Sequence, residues 1–232
     1  MTSLVFAVFA LAHLCLTLWL VRLAVTRRSA HTWLLALVAA GLVYDNGIVA
    51  VGSTLGAGDL LYALNLPRFL VHALVTPLLV VFAVGAARDL GLGWARRRAV
   101  HAAFWLLALA LIAYGLATEA VGLTLVPGRE GDALRYSAAE SSVPIPSVTA
   151  VVVLILVGAA LLVRARSAWM LAGAVFMFAT AAAPSAPLAV GNLGEVALIA
   201  GLALTARKAG PDRAGTPVRP ARTLPGATPP SR

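Results

Sequence analysis

The sequence has few charged residues and a single cysteine. Charged residues make up 12% of its 232 residues, about half the share of a typical soluble domain, whereas 61% are hydrophobic. A soluble core of this size would need a charged surface that this chain cannot supply, so the composition excludes a soluble enzyme and a disordered protein. Because Cys15 has no second cysteine to pair with, a disulfide scaffold is excluded as well.

Several cofactor motifs are also missing. The sequence contains no phosphate-binding loop, no glycine-rich dinucleotide turn and no HExxH pair. His72 and the scattered carboxylates are too loosely spaced to predict a metal site, so we expect neither a metal nor an organic cofactor. The one lysine, Lys208, lies beyond the last apolar run, which excludes a retinal protein with a Schiff base in its seventh helix.

Seven apolar runs dominate the chain, and a membrane-spanning helix needs about 20 such residues. The runs cover residues 3–21, 33–52, 69–87, 101–124, 148–163, 168–186 and 188–206. They predict an all-α, polytopic bundle of seven transmembrane helices over residues 1–206, with its longest loop at 125–147. Residues 207–232 are rich in Pro, Gly and Arg and are predicted to form a disordered tail.

The basic residues predict the orientation of this bundle. Fifteen of the 18 Lys and Arg residues follow alternate runs or lie in the tail, and only Arg68, Arg129 and Arg135 lie on the other side. The positive-inside rule then places the N-terminus outside and the C-terminus in the cytoplasm of a cell that carries the protein in its plasma membrane. The net charge of +9 is spread between apolar runs, which favours membrane lipid over nucleic acid as the partner.

Ionisable side chains within the predicted helices are candidates for function, because each is costly in hydrocarbon. With a rise of about 1.5 Å per residue, Asp45 and Glu195 lie about 10 Å below the outer membrane edge, Glu119 about 8 Å and His72 about 6 Å. Four helices are therefore predicted to place polar groups at one level in the outer half of the membrane.

The spacing of these residues predicts two polar helix faces. Arg68 and His72 are four residues apart, and Asn192 and Glu195 are three apart, so each pair shares a face. Gly191 lies four residues before Glu195, and a small residue there predicts close helix packing on that side.

From these positions we derive a candidate site. The predicted catalytic residues are Asp45, Arg68, His72, Glu119 and Glu195. The predicted substrate-binding residues are Tyr44, Asn46, Tyr114, Arg135 and Asn192. Two alternatives remain open: Asp45 with Arg68, or Glu119 with His72, could be ion pairs that only hold the bundle together, and the loop that carries Arg135 could be either a lid or a plain solvated loop.

Some of these segments resemble known membrane proteins. The runs Tyr44-Asp45-Asn46, Arg68-Phe69, Leu134-Arg135-Tyr136 and Gly191-Asn192-Leu193-Gly194-Glu195 resemble segments of uncharacterised bacterial seven-helix integral membrane proteins. The chain is also similar in length to small integral membrane terpene cyclases of meroterpenoid pathways, which use one acid in an early helix and one in the last. That resemblance implies that Asp45 and Glu195 are the two acids, although Tyr-Asp-Asn stands here in place of a Trp-Glu pair.

The leading hypothesis is an intramembrane enzyme that acts on an isoprenoid or another lipid-soluble substrate by carboxylic acid–base chemistry, similar to a terpene cyclase. One acid would protonate an alkene or epoxide and the other would stabilise the developing cation. A proton-coupled transporter or channel would use the same acids as a proton relay. The third hypothesis is a lipid-binding or assembly protein without turnover.

Overall fold

The computed structural model describes residues 1–140, 143–183 and 187–209, with the backbone alone at 119 and 120. This part of the chain folds into eight α-helices and one β-hairpin. The helices are α1 (Thr2–Arg27), α2 (Ala30–Leu55), α3 (Asp59–Val75), α4 (Leu78–Asp89), α5 (Arg98–Gly115), α6 (Ile145–Ala165), α7 (Trp169–Ala181) and α8 (Leu188–Lys208). A 3-10 turn at Gly93–Arg96 precedes α5, and a π-helical turn at Leu116–Ala120 follows it. The predicted tail lies outside the described residues from residue 210 onward.

Six helical segments of the described chain are long and apolar enough to cross a membrane. They are Thr2–Arg27, Ala30–Leu55, Asp59–Asp89, Arg98–Thr118, Ile145–Ala165 and Leu188–Lys208. The protein is therefore a helical membrane bundle of the multi-pass kind. The predicted run 168–186 corresponds to the shorter helix α7, whose 13 residues extend about 20 Å and fall short of the roughly 30 Å hydrocarbon core.

The third spanning segment begins earlier than its hydropathy predicts. Helix α3 starts at Asp59, ten residues before the predicted start at residue 69, and continues through Pro67. Polar residues in this first half, among them Arg68, lower the local hydropathy and conceal the helix. Arg68 consequently lies well inside α3 instead of opening it. Pro77, which has no N–H, separates α3 from α4 within the same 31-residue span.

Helix α4 lies at the centre of the bundle. Every residue from Leu79 to Ala87 is buried, and α4 packs against α2, α5 and α6. A helix that is apolar on all sides fits either a protein core or lipid, and α4 occupies the core of this bundle. By contrast, α1 exposes Leu4, Val8, Leu11 and Leu18 along one face, as expected of a helix that contacts lipid.

Small residues allow α6, α7 and α8 to pack closely. A side-chain carbon at Gly158 would meet the backbone of Leu171 at 2.7 Å, and one at Gly201 would meet the carbonyl oxygen of Trp169 at 2.5 Å. Small residues let neighbouring backbones approach in this way. The close packing predicted at Gly191 is wrong, because no described atom lies within 4 Å of the position that its side chain would take.

The predicted outer loop contains a β-hairpin. Strands β1 (Leu125–Glu130) and β2 (Ala133–Ala138) pair antiparallel, with a turn at Gly131 in the left-handed region. Neither strand shows a clean alternation of buried and exposed residues, and Pro127 interrupts β1, which is why the sequence does not predict them. Helix α6 then begins at Ile145, so the loop is shorter than predicted.

The hairpin is attached to both α1 and α2. The carboxylate of Asp132 accepts hydrogen bonds from the backbone N–H groups of Thr2 and Ser3, and its carbonyl accepts one from the hydroxyl of Ser53. The N-terminal amine, with these backbone bonds, lowers the pKa of Asp132 to about 2. The carboxylate is therefore ionised over the ordinary pH range, and it holds the tip of the hairpin on the ends of two helices.

The two ends of the bundle differ in charge. At one end, the guanidinium of Arg27 donates to the carbonyls of Ala206 and Ala209, and the ammonium of Lys208 donates to the carbonyls of Ala165 and Arg166. We call this the basic end. The opposite end carries the β-hairpin, and we call it the hairpin end.

Candidate functional site

A cavity of about 540 Å³ lies near the hairpin end, between α1, α2, α3, α6, α7, α8 and the hairpin. Its charged or polar lining residues are Asp45, Arg68, His72, Arg135, Ser147, Asn192 and Glu195. Helices α6 and α7 supply most of its apolar lining, including Val148, Val151, Met177, Phe178 and Ala181. The cavity therefore has one polar wall and one apolar wall, as a binding site for an amphipathic molecule would.

A buried ion pair joins α2 to α3 on the polar wall. The Nε atom of Arg68 donates to Oδ1 of Asp45 at 2.8 Å, and both side chains are about nine-tenths buried. The Nη1 atom of Arg68 donates to Oδ1 of Asn65 at 2.6 Å, one helical turn earlier. Asp45 is thus an ionised partner of Arg68, and it is not a free acid.

Asn65 connects this ion pair to the hairpin. Its Oδ1 atom also accepts a hydrogen bond from the backbone N–H of Tyr136 at 3.2 Å, and its Nδ2 atom donates to the carbonyl of Leu61. Tyr136 packs edge to face on Tyr62 with ring centroids 5.4 Å apart. The position of β2 is therefore set by the same buried network that orients Arg68 toward Asp45.

Glu195 has a different environment from Asp45. Its Oε2 atom is buried and has no hydrogen-bond partner among the described residues. Asn192, one turn earlier on α8, donates to the carbonyl of Leu188 and does not reach the acid. An acid in this position avoids the cost of an uncompensated charge when it carries a proton.

Arg135 reaches the cavity from strand β2. It forms no hydrogen bond or ion pair with any residue that the structure describes, although it is only partly exposed. Burial lowers the pKa of Arg135, and the positive charge of Arg68 acts in the same direction, whereas the carboxylates of Asp45 and Glu130 oppose the shift. Arg135 is therefore a charged donor group without a bound acceptor.

His72 lies beside the break between α3 and α4. Its Nδ1 atom is 3.3 Å from the hydroxyl of Thr76, and its backbone carbonyl accepts the N–H of Thr76 at the last turn of α3. Pro77 follows directly. His72 lines the cavity and lies five residues before Pro77, at which the third spanning segment is interrupted.

Three predicted site residues, Tyr44, Asn46 and Tyr114, are not among the described residues that line this cavity. The hydroxyl of Tyr44 donates to the carbonyl of Leu64, Asn46 is buried and donates to the carbonyl of Leu42, and Tyr114 is 43% exposed. Glu119 lies in the π-helical turn after α5, and its side chain is outside the described part of the structure. The predicted alternative in which Glu119 pairs with His72 stays a prediction.

Two buried polar residues were not predicted as parts of the site. Asn65 lies three residues before Arg68 on the same helix face, a spacing that could have indicated it had α3 been recognised to begin at Asp59. His13 is fully buried in α1 with its Nε2 atom unpartnered among the described residues. No group of three or more His, Cys, Asp and Glu residues that could hold a metal ion occurs within the described ranges.

Comparisons with protein-family models, with curated proteins and with solved structures found no match. The resemblances to bacterial membrane proteins and to terpene cyclases therefore stay predictions.

Proposed function

We propose that the chain crosses the plasma membrane seven times, with the hairpin end outside and the basic end in the cytoplasm. The course of α7 supports the seventh crossing, because Trp169 packs on Gly201 and Thr180 packs on Gly194, so that α7 runs antiparallel to α8 over several turns. The positively charged residues at the basic end support the orientation.

We infer that the protein is an intramembrane enzyme that acts on an isoprenoid or similar lipid-soluble substrate, with Glu195 as its general acid. The observation that carries this proposal is the unpartnered, buried carboxyl oxygen of Glu195 at the edge of a largely apolar cavity. A protonated carboxyl in a low-dielectric site is suited to donate a proton to carbon.

The proposed reaction is an isomerisation that needs no co-reactant. Glu195 gives its proton to one alkene carbon, whose π electrons form the new C–H bond and leave a cation on the neighbouring carbon. A second alkene of the same molecule attacks that cation and closes a ring. Loss of a proton from the ring-closed cation to the Glu195 carboxylate then restores both the alkene and the acid.

Asp45 and Arg68 have a different part in this scheme. Their ion pair at 2.8 Å is a fixed dipole on the polar wall, with the carboxylate of Asp45 able to stabilise positive charge that develops in the substrate. The hydrogen bond from Arg68 to Asn65 holds the guanidinium in place. The pair therefore acts as a preorganised electrostatic group, while Glu195 handles the proton.

Proton-coupled transport is the second candidate function, because the third span is interrupted at Pro77, five residues after the cavity residue His72. Interrupted helices of this kind form the substrate and ion sites of many secondary transporters. His72 and Glu195 would then relay protons.

The test is Glu195→Gln, which keeps the shape of the side chain and removes its acidic proton. The purified variant and wild type are incubated with a pool of prenylated lipids, and the products are separated by mass and retention time. The enzyme reading predicts that an isomer formed by the wild type is absent with Glu195→Gln. Glu140→Gln makes the same substitution at an exposed position of the segment after β2 and serves as the matched control.

Transport and lipid binding predict other outcomes. If the protein is a transporter, the wild type produces no isomer, and proton flux into vesicles stops with Glu195→Gln alone. Prenylated lipid that is bound but unchanged, without proton flux, would overturn both readings in favour of a lipid-binding protein.

A further inference from the structure

The polar wall of the cavity contains one carboxyl group and one guanidinium group without a partner among the described residues. Arg68 is matched by Asp45, which leaves Glu195 and Arg135 without partners among the described residues. The carboxylates that interact electrostatically with Arg135 are those of Asp45 and Glu130, and Glu195 is not one of them. The guanidinium of Arg135 therefore has no hydrogen bond or ion pair, among the described residues, with the acid to which we assign the chemistry.

The hairpin holds Arg135 at its position. The residue before it, Leu134, packs its carbonyl oxygen against Gly52 of α2, and the residue after it, Tyr136, donates its N–H to Asn65 of α3. On the other strand, Glu130 accepts a hydrogen bond from the N–H of Leu188 at the start of α8. Because three helices anchor the hairpin, the backbone of Arg135 is held in place beside the cavity that its side chain lines.

The unused hydrogen-bond donors of Arg135 favour an anion beside it. Arg68 is a cation that repels the guanidinium of Arg135 and cannot pair with it. The carboxylate of Asp45 already accepts a hydrogen bond from Arg68 at 2.8 Å. The carboxylate of Glu130 is occupied by the N–H of Leu188 at 2.8 Å. A partly buried guanidinium with five unused donors forms strong, charge-assisted hydrogen bonds with a carboxylate or phosphate.

We propose that the cavity binds an anionic amphiphile, with a carboxylate or phosphate group on Arg135 and an apolar chain along the wall formed by α6 and α7. This inference rests on the proposed function, since it names the chemical class of the substrate for the same cavity. The anionic group would hold one end of the molecule at the hairpin, and the chain would extend past Met177 and Phe178 toward Glu195.

Equilibrium binding to the full-length protein in phosphatidylcholine nanodiscs tests the proposal. The probes are farnesyl phosphate, which has both chain and anion, farnesol, which has the chain alone, and inorganic phosphate, which has the anion alone. We expect farnesyl phosphate to bind about 10- to 100-fold more tightly than farnesol, the range expected for hydrogen bonds to a charged group, and inorganic phosphate to bind weakly. Palmitate and hexadecanol repeat the comparison with a carboxylate.

Variants on the same hairpin assign the effect to Arg135. Arg135→Gln should remove the preference for farnesyl phosphate and leave farnesol binding unchanged, whereas Arg135→Lys should keep part of it. Arg129→Gln, at an exposed position of β1, is the matched control and should bind both probes like the wild type. Should Arg135→Gln fail to fold, the wild-type comparison of each anion with its alcohol still decides the question.

The outcomes separate this inference from the proposed function. Equal affinity for farnesyl phosphate and farnesol, or an equal loss with Arg129→Gln, overturns the anion site while a lipid-soluble substrate stands. Failure of every chain-bearing probe to bind overturns both proposals. Nanodiscs that contain phosphatidylglycerol identify the source of the anion: competition with farnesyl phosphate indicates a bilayer lipid headgroup, and its absence indicates a free amphiphile.

Discussion

At the scale of single residues, the two acids of the cavity differ in whether they have a partner. Asp45 shares its charge with Arg68 in a buried pair, and the pair is held further by Asn65. Glu195 has a buried oxygen that no described residue contacts through a hydrogen bond. Replacing each acid by its amide should therefore affect the stability of the protein differently at these two positions.

We expect Asp45→Asn to destabilise the protein by roughly 3–5 kcal/mol, because it leaves the buried guanidinium of Arg68 without its counter-charge. Glu195→Gln should be neutral or slightly stabilising, since the amide removes a potential charge from the membrane interior. Thermal unfolding of both variants in the same detergent measures the difference. The double variant Asp45→Asn with Arg68→Met should recover much of the loss, because it removes both members of the pair. Similar losses for Asp45→Asn and Glu195→Gln would contradict this assignment.

The residues that form the site could be predicted only in part. Asp45, Arg68, His72, Asn192 and Glu195 stand out in the sequence because each interrupts an apolar run, and the structure places all five on one cavity. Tertiary hydrogen bonds are not visible in a sequence, so the sequence does not predict Asn65. For the same reason it predicts Tyr44 and Asn46 as substrate-binding residues, although both donate to backbone carbonyls. The apolar wall is equally hidden, because Met177 and Phe178 resemble any other lipid-facing residues.

At the scale of secondary-structure elements, hydropathy locates spanning helices well but not their ends. Helix α3 begins within a polar stretch. Helix α7 ends at Ala181, five residues before the end of the apolar run 168–186 that predicted it. The hairpin was not predicted at all, because its stability comes from contacts with α1 and α2 and not from a strand pattern of its own. Glycines at the contacts between elements provide direct tests of these packings.

Gly52 should be required for the hairpin to rest on α2. A side-chain carbon there would overlap the carbonyl oxygen of Leu134, so Gly52→Ala should displace β2 from the helix. The matched control is Gly47→Ala in the same helix, where no described atom lies within 4 Å of the new carbon. Limited trypsin digestion in nanodiscs should cleave after Arg135 faster in Gly52→Ala than in Gly47→Ala. Equal cleavage rates would show that the hairpin does not depend on this contact.

Helix α8 offers a second matched pair. Gly201→Ala would press against the carbonyl oxygen of Trp169 at 2.5 Å and should destabilise the protein by about 1–3 kcal/mol through overpacking. Gly191→Ala adds the same carbon where no described atom is within 4 Å, and should stabilise the helix by about 0.5–1 kcal/mol. Thermal unfolding of the two variants measures both effects. Destabilisation of Gly191→Ala to the same extent would mean that this face of α8 is packed after all.

At the scale of the whole molecule, the separation of charge between the two ends links the fold to its orientation. Helix α1 passes from the hairpin end, where Thr2 contacts Asp132, to the basic end, where Arg27 contacts α8. Helix α8 passes in the same direction, from Leu188 beside Glu130 to Lys208 beside α6. The parallel course of these two helices is consistent with the odd number of crossings that we propose.

The short helix α7 is therefore the element on which the topology depends. If α7 and the residues around it cross the membrane, a reporter fused after Lys208 lies in the cytoplasm, and one inserted at Asp132 lies outside. Two reporters, one active only in the cytoplasm and the other active only outside, distinguish these positions in intact cells. The positive-inside rule predicts the same result, because the basic end carries most of the positive charge.

If both fusions report the same side, α7 turns back within the membrane. If that side is the cytoplasm, the hairpin end and its cavity face the cytoplasm, and an anionic group would reach Arg135 from there.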